Sequence, residues 1–164
     1  MFTSINISSI YVLDQDEALD FYVGKLGLEI GADFDLGFMR WLTVQAPGQP
    51  DRQILLELPG PPSLDVDTAA QVRELVAKGA MGFTAGLTTA DCHRTYEELV
   101  DKGVEFTQVP TEHFYGIDCG IRDPFGNNLR FSQPNPDMKV PSPEELKQEF
   151  TDPATNPGDC GTPA

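Results

Sequence analysis

Residues 111–116 bring a carboxylate, an imidazole and two aromatic rings close together in the sequence. Glu112 and His113 are followed by Phe114 and Tyr115, just before a segment with a strand-like pattern. Aromatic faces attract flat apolar molecules and cations, and a carboxylate strengthens the attraction for a cation. The segment is therefore a candidate for gripping an aromatic or cationic ligand. A plain loop with a half-buried aromatic anchor explains the same residues, and both interpretations stay open.

Motifs of several common enzyme classes are missing from the sequence. It contains no GxSxG elbow, no glycine-rich phosphate loop and no HExxH motif, so hydrolase, nucleotide-binding and zincin functions lack support. The chain has three cysteines, Cys92, Cys119 and Cys160. Their odd number and wide spacing favour reduced thiols over a disulfide framework or a CxxC zinc site. The other histidine, His93, falls in the first turn of a predicted helix, where we expect it to face solvent.

The chain is strongly acidic, with a formal net charge of −15 over 164 residues. Residues 133–164 hold six acidic and two basic side chains, so the body before them carries −11 by itself. Nucleic acid and anionic membranes are therefore disfavoured as partners, and a neutral or cationic small molecule is easier to accommodate, although solubility alone also explains the charge.

No apolar run has the length of a membrane span, and no secretory signal is recognised, so the predicted location is the cytoplasm.

The first half of the chain reads as one strand, one helix and three further strands. Asp14 followed by Glu17 fits a capping box at the start of the helix, and Gly27 fits the left-handed position just past its end. Alternating apolar and β-branched residues predict the strands at residues 5–13, 28–33, 38–45 and 53–58. A short helix, capped by Asp67 and ended by Gly79, is expected to connect the halves.

The second half repeats this order. Asp91 caps a helix that Gly103 closes, and strands are predicted at residues 82–89, 104–109, 116–122 and 128–132. Residues 25–30 align with residues 101–106 at an offset of 76, whereas Asp14 aligns with Asp91 at an offset of 77. One residue of slippage is therefore expected near the first helix.

A duplicated βαβββ pattern follows from this repeat. The predicted fold class is α+β with two tandem βαβββ modules, at residues 5–60 and 81–133, joined by a connector at 61–80. Residues 134–164 are rich in proline and are expected to form a mostly flexible tail, with a helical turn or two only at residues 143–150.

Two segments carry a resemblance to a known family. Residues 13–22, LDQDEALDFY, are followed by Leu26-Gly27-Leu28, and residues 122–127, RDPFGN, lie one module further on. Together they resemble the module signatures of the vicinal-oxygen-chelate superfamily, which includes glyoxalase I, bleomycin-resistance proteins and extradiol dioxygenases. The resemblance implies a half-open barrel around a ligand cavity, and commonly a homodimer. It covers residues 5–133.

The resemblance also implies positions for a divalent metal, held in metal-dependent members by His and Glu. These four positions correspond to Ile7, Glu57, Thr84 and Arg130. Only Glu57 is a competent ligand, and Arg130 is a fixed cation that repels a metal. We therefore expect no metal cofactor. A displaced site formed by Glu112, His113 and Asp118 is a weaker alternative.

The same correspondence predicts which side chains face the cavity. Arg130 is expected to occupy the vacated metal position and to pair with the carboxylate of Glu57 in a bidentate manner. The predicted ligand-binding residues are Ile7, Ser9, Tyr11, Trp41, Thr84, His113, Tyr115 and Arg130, and Phe34, Phe38 and Met39 are either further lining residues or core.

Two functions from different classes remain open at this point. The first is a metal-independent protein, similar to the bleomycin-resistance branch, that binds a small organic molecule and sequesters a cationic or aromatic compound. The second is a lyase, isomerase or dioxygenase of the same superfamily that uses a displaced metal or Glu57 as general base. Fold-level similarity does not decide between them.

Overall fold

The computed structural model describes residues 1–151, with side-chain environments described through residue 147. The architecture is α+β, with two four-stranded sheets, as the sequence predicts. Residues 1–82 together with 124–127 form one compact unit, and residues 83–123 together with 128–151 form the other. Cys160 and the last part of the predicted tail, residues 152–164, lie outside the described residues. No helix in the described part has the length and apolar character needed to cross a membrane.

The first unit contains a sheet with the strand order β1-β4-β3-β2. Strand β1 pairs in parallel with β4, and the other two pairings are antiparallel. The elements of this unit, in chain order, are β1 Ile7–Tyr11, α1 Gln15–Leu19, a π-helical continuation Asp20–Lys25, β2 Glu29–Asp35, β3 Arg40–Gln45, β4 Gln53–Glu57 and α2 Val66–Ala77.

Strand alternation divides the first sheet into a buried face and an open face. Core side chains on the buried face, exposed by 2% or less, are Ile10, Leu42, Val44 and Leu56. Residues of opposite parity, such as Ser9, Trp41 and Glu57, must point to the other face, because successive strand residues alternate sides. The open face is therefore the one on which ligand-binding side chains can lie.

The predicted one-residue slippage has a structural counterpart in the first helix. Asp14 caps α1 by accepting hydrogen bonds from the backbone N–H groups of Asp16 and Glu17, as predicted. The helix then widens into the π-helical segment Asp20–Lys25 before Gly27, which has a φ of 74°. A π-turn contains one residue more than an α-helical turn. This segment therefore accommodates the one residue by which the first helix region is longer than the corresponding region of the second half.

The second unit contains a sheet with the order β5-β8-β7-β6. Strand β5 again pairs in parallel with β8, and the remaining pairings are antiparallel, so the topology of the first sheet is repeated. Its elements are β5 Phe83–Thr88, α3 Cys92–Asp101, β6 Glu105–His113, β7 Gly116–Arg122, β8 Asn128–Pro134 and α4 Pro143–Thr151.

The loop at residues 124–127 belongs to the first unit although its neighbours belong to the second. Asn127, which is 1% exposed, donates from Nδ2 to the backbone oxygen of Tyr11 at 2.8 Å. Gly126 has a φ of 106°, and a Cβ placed on it would lie 2.4 Å from the backbone oxygen of Val76. Glycine is therefore required at this position by both conformation and space.

Three local predictions need correction. The N-cap of α2 is Asp65, not Asp67, since the side chain of Asp65 accepts a hydrogen bond from the Thr68 N–H. Strand β3 begins at Arg40, which leaves Phe38 in the preceding turn. Strand β6 continues to His113, so this histidine lies in a strand rather than in a loop.

Candidate ligand-binding faces

The open side of the first sheet, which we call the first face, carries five of the predicted site residues. Pairing of Ile7 with Gln53, Ser9 with Leu55 and Tyr11 with Glu57 places these side chains on the same side of neighbouring strands. Trp41 and Phe34, which pair across β3 and β2, share this side. The members of the first face used below are Ile7, Ser9, Tyr11, Phe34, Trp41 and Glu57.

The first face has an apolar region and an acidic end. Phe34 is 52% exposed and lies opposite the half-buried Trp41 of β3, and Ile7 on β1 is 37% exposed. At the C-terminal end of β4, both carboxylate oxygens of Glu57 accept hydrogen bonds, from Ser9 Oγ at 2.7 Å and from Ser63 Oγ at 2.9 Å. Exposed aromatic and aliphatic side chains beside a fixed carboxylate are suited to an apolar ligand with a positive charge.

Tyr11 extends the acidic end of the first face. Partial burial of its ring, with the nearby negative charge of Glu57, raises the pKa of the Tyr11 phenol above its ordinary value. The hydroxyl therefore stays protonated at neutral pH and remains a hydrogen-bond donor.

A small pocket of about 150 Å³ adjoins Glu57 within the first unit. Its apolar walls include Phe38, Met39 and Leu58, and its polar lining includes Gln15 and Arg40. Gln15 is buried and donates from Nε2 to the backbone oxygen of Leu56 at 2.7 Å, so it is a fixed part of the floor. Arg40 donates to Asp16 and Asp33, which neutralise its charge. The carboxylate of Glu57, in contrast, accepts its hydrogen bonds from two hydroxyl groups and not from a cation.

The corresponding side of the second sheet, the second face, is organised around Arg130. Its Nε donates to Asp118 Oδ2 at 2.6 Å and its Nη2 donates to Asp118 Oδ1 at 2.7 Å, which is a bidentate, charge-assisted pair. Nη2 also donates to Gln108 Oε1 at 2.6 Å. The bidentate partner of Arg130 is therefore Asp118, and the predicted pairing with Glu57 is wrong.

Sheet register explains this choice of partner. Arg130 of β8 lies opposite Gly120 of β7, while Asp118 lies opposite Ser132. Glycine has no side chain, so the guanidinium can cross Gly120 and reach Asp118 diagonally on the same face. A Cβ on Gly120 would lie 2.5 Å from Thr107 Oγ1, which shows how closely this part of the sheet is packed.

His113 and Tyr115 lie beside this pair. His113 Nε2 is 3.4 Å from Asp118 Oδ1, and the imidazole stacks on the Tyr115 ring with 4.9 Å between centroids and 8° between planes. The His113 side chain is only 6% exposed. Thr84 contributes less, because its hydroxyl donates to the backbone oxygen of Asn128 at 2.8 Å.

The electrostatic balance on the second face follows from burial. Asp118 is 4% exposed, and a buried carboxylate requires a partner. The hydrogen bonds to Asp118 raise the pKa of the Arg130 guanidinium, which therefore remains a permanent cation. Burial raises the pKa of the nearby Cys119 thiol to about 12, so this thiol is protonated and unreactive at neutral pH.

The donor set at the four positions corresponding to the family metal ligands does not fit a divalent metal. Ile7 has no donor atom, Thr84 uses its hydroxyl in a backbone hydrogen bond, and Arg130 is a cation held in place by Asp118. Within residues 1–151, no group of three or more His, Cys, Asp and Glu side chains is placed to bind a metal. Glu112 pairs with Ile117 and so alternates away from Asp118, which argues against the displaced site.

Comparison with known proteins identifies the fold family. A family profile described as the glyoxalase/bleomycin resistance protein/dioxygenase superfamily matches residues 4–131. The chain belongs to this superfamily. Its Bacillus subtilis (strain 168) relative YurT is 35% identical over 130 residues, which are 79% of this chain and 98% of YurT.

Two solved structures of this superfamily fold are informative. UcmS2 is 38% identical, with a TM-score of 0.75 over 80% of this chain and 98% of UcmS2. TnmS3, described as an antibiotic binding protein from Streptomyces sp. CB03234, is 26% identical, with a TM-score of 0.65 over 82% of this chain and 98% of TnmS3.

Three contributors to these faces were missed at the sequence level. Gln108 and Ser63 have no distinguishing sequence context, and Asp118 was considered only as a metal ligand. The signal that could have revealed Asp118 is its spacing from Gly120 on β7, because a glycine opposite an arginine leaves room for a diagonal ion pair.

Proposed function

We propose that this protein binds a small aromatic organic molecule, neutral or cationic, without using a metal ion. The observation that supports the proposal is the ion pair of Arg130 with buried Asp118, since Arg130 is the residue for which the family resemblance implies the fourth metal-ligand position. An antibiotic-binding protein of similar fold, TnmS3, supports the same class of function.

The side chains around these positions suit binding more than catalysis. Glu57 is held through both oxygens by Ser9 and Ser63, so it is better placed as a counter-ion than as a mobile general base. Phe34, Trp41 and Ile7 offer apolar contact area on the first face.

The acidic character of the chain favours cations over anions as ligands. A net charge of −15 concentrates cations near the protein surface and repels anions. On the first face the nearby fixed charge is the carboxylate of Glu57, and on the second face the Arg130 and Asp118 charges cancel. We therefore expect a planar aromatic cation to bind more tightly than an aromatic anion of similar size.

Trp41 provides a direct test, since it is the single tryptophan of the chain. Proflavine, a planar aromatic cation, is titrated into the protein while tryptophan fluorescence and heat are recorded, and anilinonaphthalene sulfonate serves as the anionic probe. We expect saturable quenching by proflavine and weaker binding of the anion. Absence of saturable binding by both probes would contradict the proposal.

A matched pair of variants locates the binding. Phe34→Ala removes an aromatic ring from the first face, whereas Leu75→Ala removes a similarly exposed apolar side chain from α2. Loss of one stacking contact, worth about 0.5–1.5 kcal/mol, predicts roughly twofold to tenfold weaker proflavine binding for Phe34→Ala only. Equal effects of both substitutions would mean that binding is nonspecific.

A further inference from the structure

A buried glutamine bridges two strands at the small pocket of the first unit. Residue pairs between β3 and β4 end at Thr43 and Leu55, although both strands extend further. Beyond that pair, Gln15 Nε2 donates to the backbone oxygen of Arg40 on β3 at 3.2 Å and to that of Leu56 on β4 at 2.7 Å. The amide of Gln15 thus replaces the ladder hydrogen bonds where the strands separate, and Gln15 lines the pocket of about 150 Å³ found there.

The oxygen of this amide is an acceptor that the protein itself does not use. The amide group that bonds to two backbone oxygens must be the NH₂ group, because those oxygens can only accept. The remaining polar atom is Oε1, and no donor among the described residues bonds to it. Gln15 is only 8% exposed. A buried acceptor is costly unless a donor reaches it, so the pocket favours a ligand group that donates hydrogen bonds.

Glu57 supplies a second acceptor to the same pocket, and this one is charged. Its two carboxylate oxygens each accept one hydrogen bond, from Ser9 and from Ser63. A carboxylate has about four lone-pair sites, so about two remain for a ligand. The serine hydroxyls hold the carboxylate in one position, which reduces the entropy lost when a ligand binds. A donor group that is also cationic therefore suits the pocket best.

Two arginines line the pocket as well, and they do not reverse this preference. Arg40 donates to Asp16 and Asp33, which balance its charge. Arg73 is exposed to solvent, and its Nη2 donates to a backbone oxygen. Solvent and salt screen an exposed charge more effectively than the charge of the half-buried Glu57.

We propose that this pocket binds the protonated primary amine of an aromatic ligand, with its N–H groups donating to Gln15 Oε1 and to the Glu57 carboxylate. The inference rests on the proposed function and specifies the kind of cation. The small volume accommodates a compact substituent such as an aminomethyl group, and the ligand ring packs against Phe38, which is 64% exposed at the wall of the pocket.

The test compares three probes by calorimetry at neutral pH: naphthylmethylamine, its N,N,N-trimethylammonium counterpart, and naphthylacetate. The first two carry the same charge, but the quaternary cation has no N–H donor. Because it has more apolar surface, burial alone predicts that it binds at least as tightly as the primary amine. The proposal predicts the opposite order, with the primary amine binding about tenfold more tightly than the quaternary cation and naphthylacetate binding most weakly.

Variants assign this preference to the two acceptors. Glu57→Gln is expected to reduce the ratio of primary to quaternary affinity to about twofold or less, because it removes the charged acceptor. Glu74→Gln, an equal charge change at an exposed position on α2, should leave the ratio unchanged.

The substitution Gln15→Met removes the amide oxygen and should also lower the ratio. In that variant the quaternary cation, which makes no use of Oε1, should keep its affinity and so report that the pocket is intact. If Gln15→Met does not fold, Glu57→Gln decides the question alone.

The outcomes separate this inference from the function on which it rests. Equal affinities of the wild-type protein for the primary and the quaternary cation, or a preference that survives in Glu57→Gln, would overturn the inference and leave aromatic binding intact. Tightest binding of naphthylacetate, lost in Arg73→Met, would show that the pocket takes a carboxylate instead. If no naphthyl probe bound and proflavine also failed, the proposed function itself would fall, and the inference with it.

Discussion

Arg130 lies diagonally across the second sheet from Asp118 and donates to both of its carboxylate oxygens, at 2.6 and 2.7 Å. The carboxylate is 4% exposed, while the arginine side chain is 39% exposed. The buried carboxylate of Asp118 therefore depends on the partly exposed guanidinium of Arg130 to neutralise its charge.

Substitution Arg130→Met should destabilise the protein by about 3–5 kcal/mol, because it leaves a buried charge without its partner. The free energy of unfolding in urea measures the effect. The double variant Arg130→Met, Asp118→Asn should recover part of the loss, since the buried group is then uncharged. A loss below about 1 kcal/mol for the single variant would show that Asp118 does not depend on Arg130.

Substitution Gly126→Ala should be strongly destabilising. The new Cβ would lie 2.4 Å from the Val76 backbone oxygen at a φ of 106°, so backbone must move, and we expect a loss of about 2 kcal/mol or more. Gly24→Ala is the control, since nothing lies within 4 Å of its Cβ and alanine favours a helical backbone. Thermal unfolding of the two variants should differ in sign or in size, and equal melting temperatures would contradict the described loop packing.

The two aspartates before α2 give a matched test of helix capping. The side chain of Asp65 accepts hydrogen bonds from both the N–H and the hydroxyl of Thr68. Asp65→Ala should therefore lower the free energy of unfolding, and Asp67→Ala should lower it clearly less. A larger loss of unfolding free energy in Asp67→Ala than in Asp65→Ala, measured by urea denaturation, would indicate that Asp67 is the cap.

The buried thiol of Cys119 should make stability decline at alkaline pH. Burial raises its pKa from an ordinary value of 9.0 to about 12 in the folded protein. The protonated thiol is favoured in the folded state, so its contribution is complete below the unfolded value and is lost as pH rises from about 9 toward about 12. Urea denaturation at neutral pH and within that window should show a smaller decline for Cys119→Ala than for the wild type. The same decline in both proteins would contradict the shift.

Local signals in the sequence were sufficient for much of the fold. Asp14 and Asp91 as helix caps, Gly27 and Gly103 just past the helix ends, and residues 116–122 as a strand are all confirmed, because each depends on neighbours within one or two turns of chain. The choice between Asp65 and Asp67 could not be made from spacing, since both precede the same apolar pattern.

The candidate site was less predictable than the fold. Arg130 was correctly singled out, but its partner depends on the register between β7 and β8, which no local pattern specifies. Placing Asp118 diagonal to Arg130 requires knowing that Gly120 lies opposite the arginine. The assignment of Glu57 as a catalytic residue and of the remaining side chains as ligand contacts stays a prediction.

The metal content of freshly purified protein, measured by elemental mass spectrometry, tests the central claim most directly. With Arg130 fixed as a cation by Asp118 and only Glu57 a competent ligand at the four positions, we predict no stoichiometric divalent metal in the wild type. About one metal ion per chain in the wild type, lost in Glu57→Ala, would contradict the account and indicate a metal-dependent member of the superfamily.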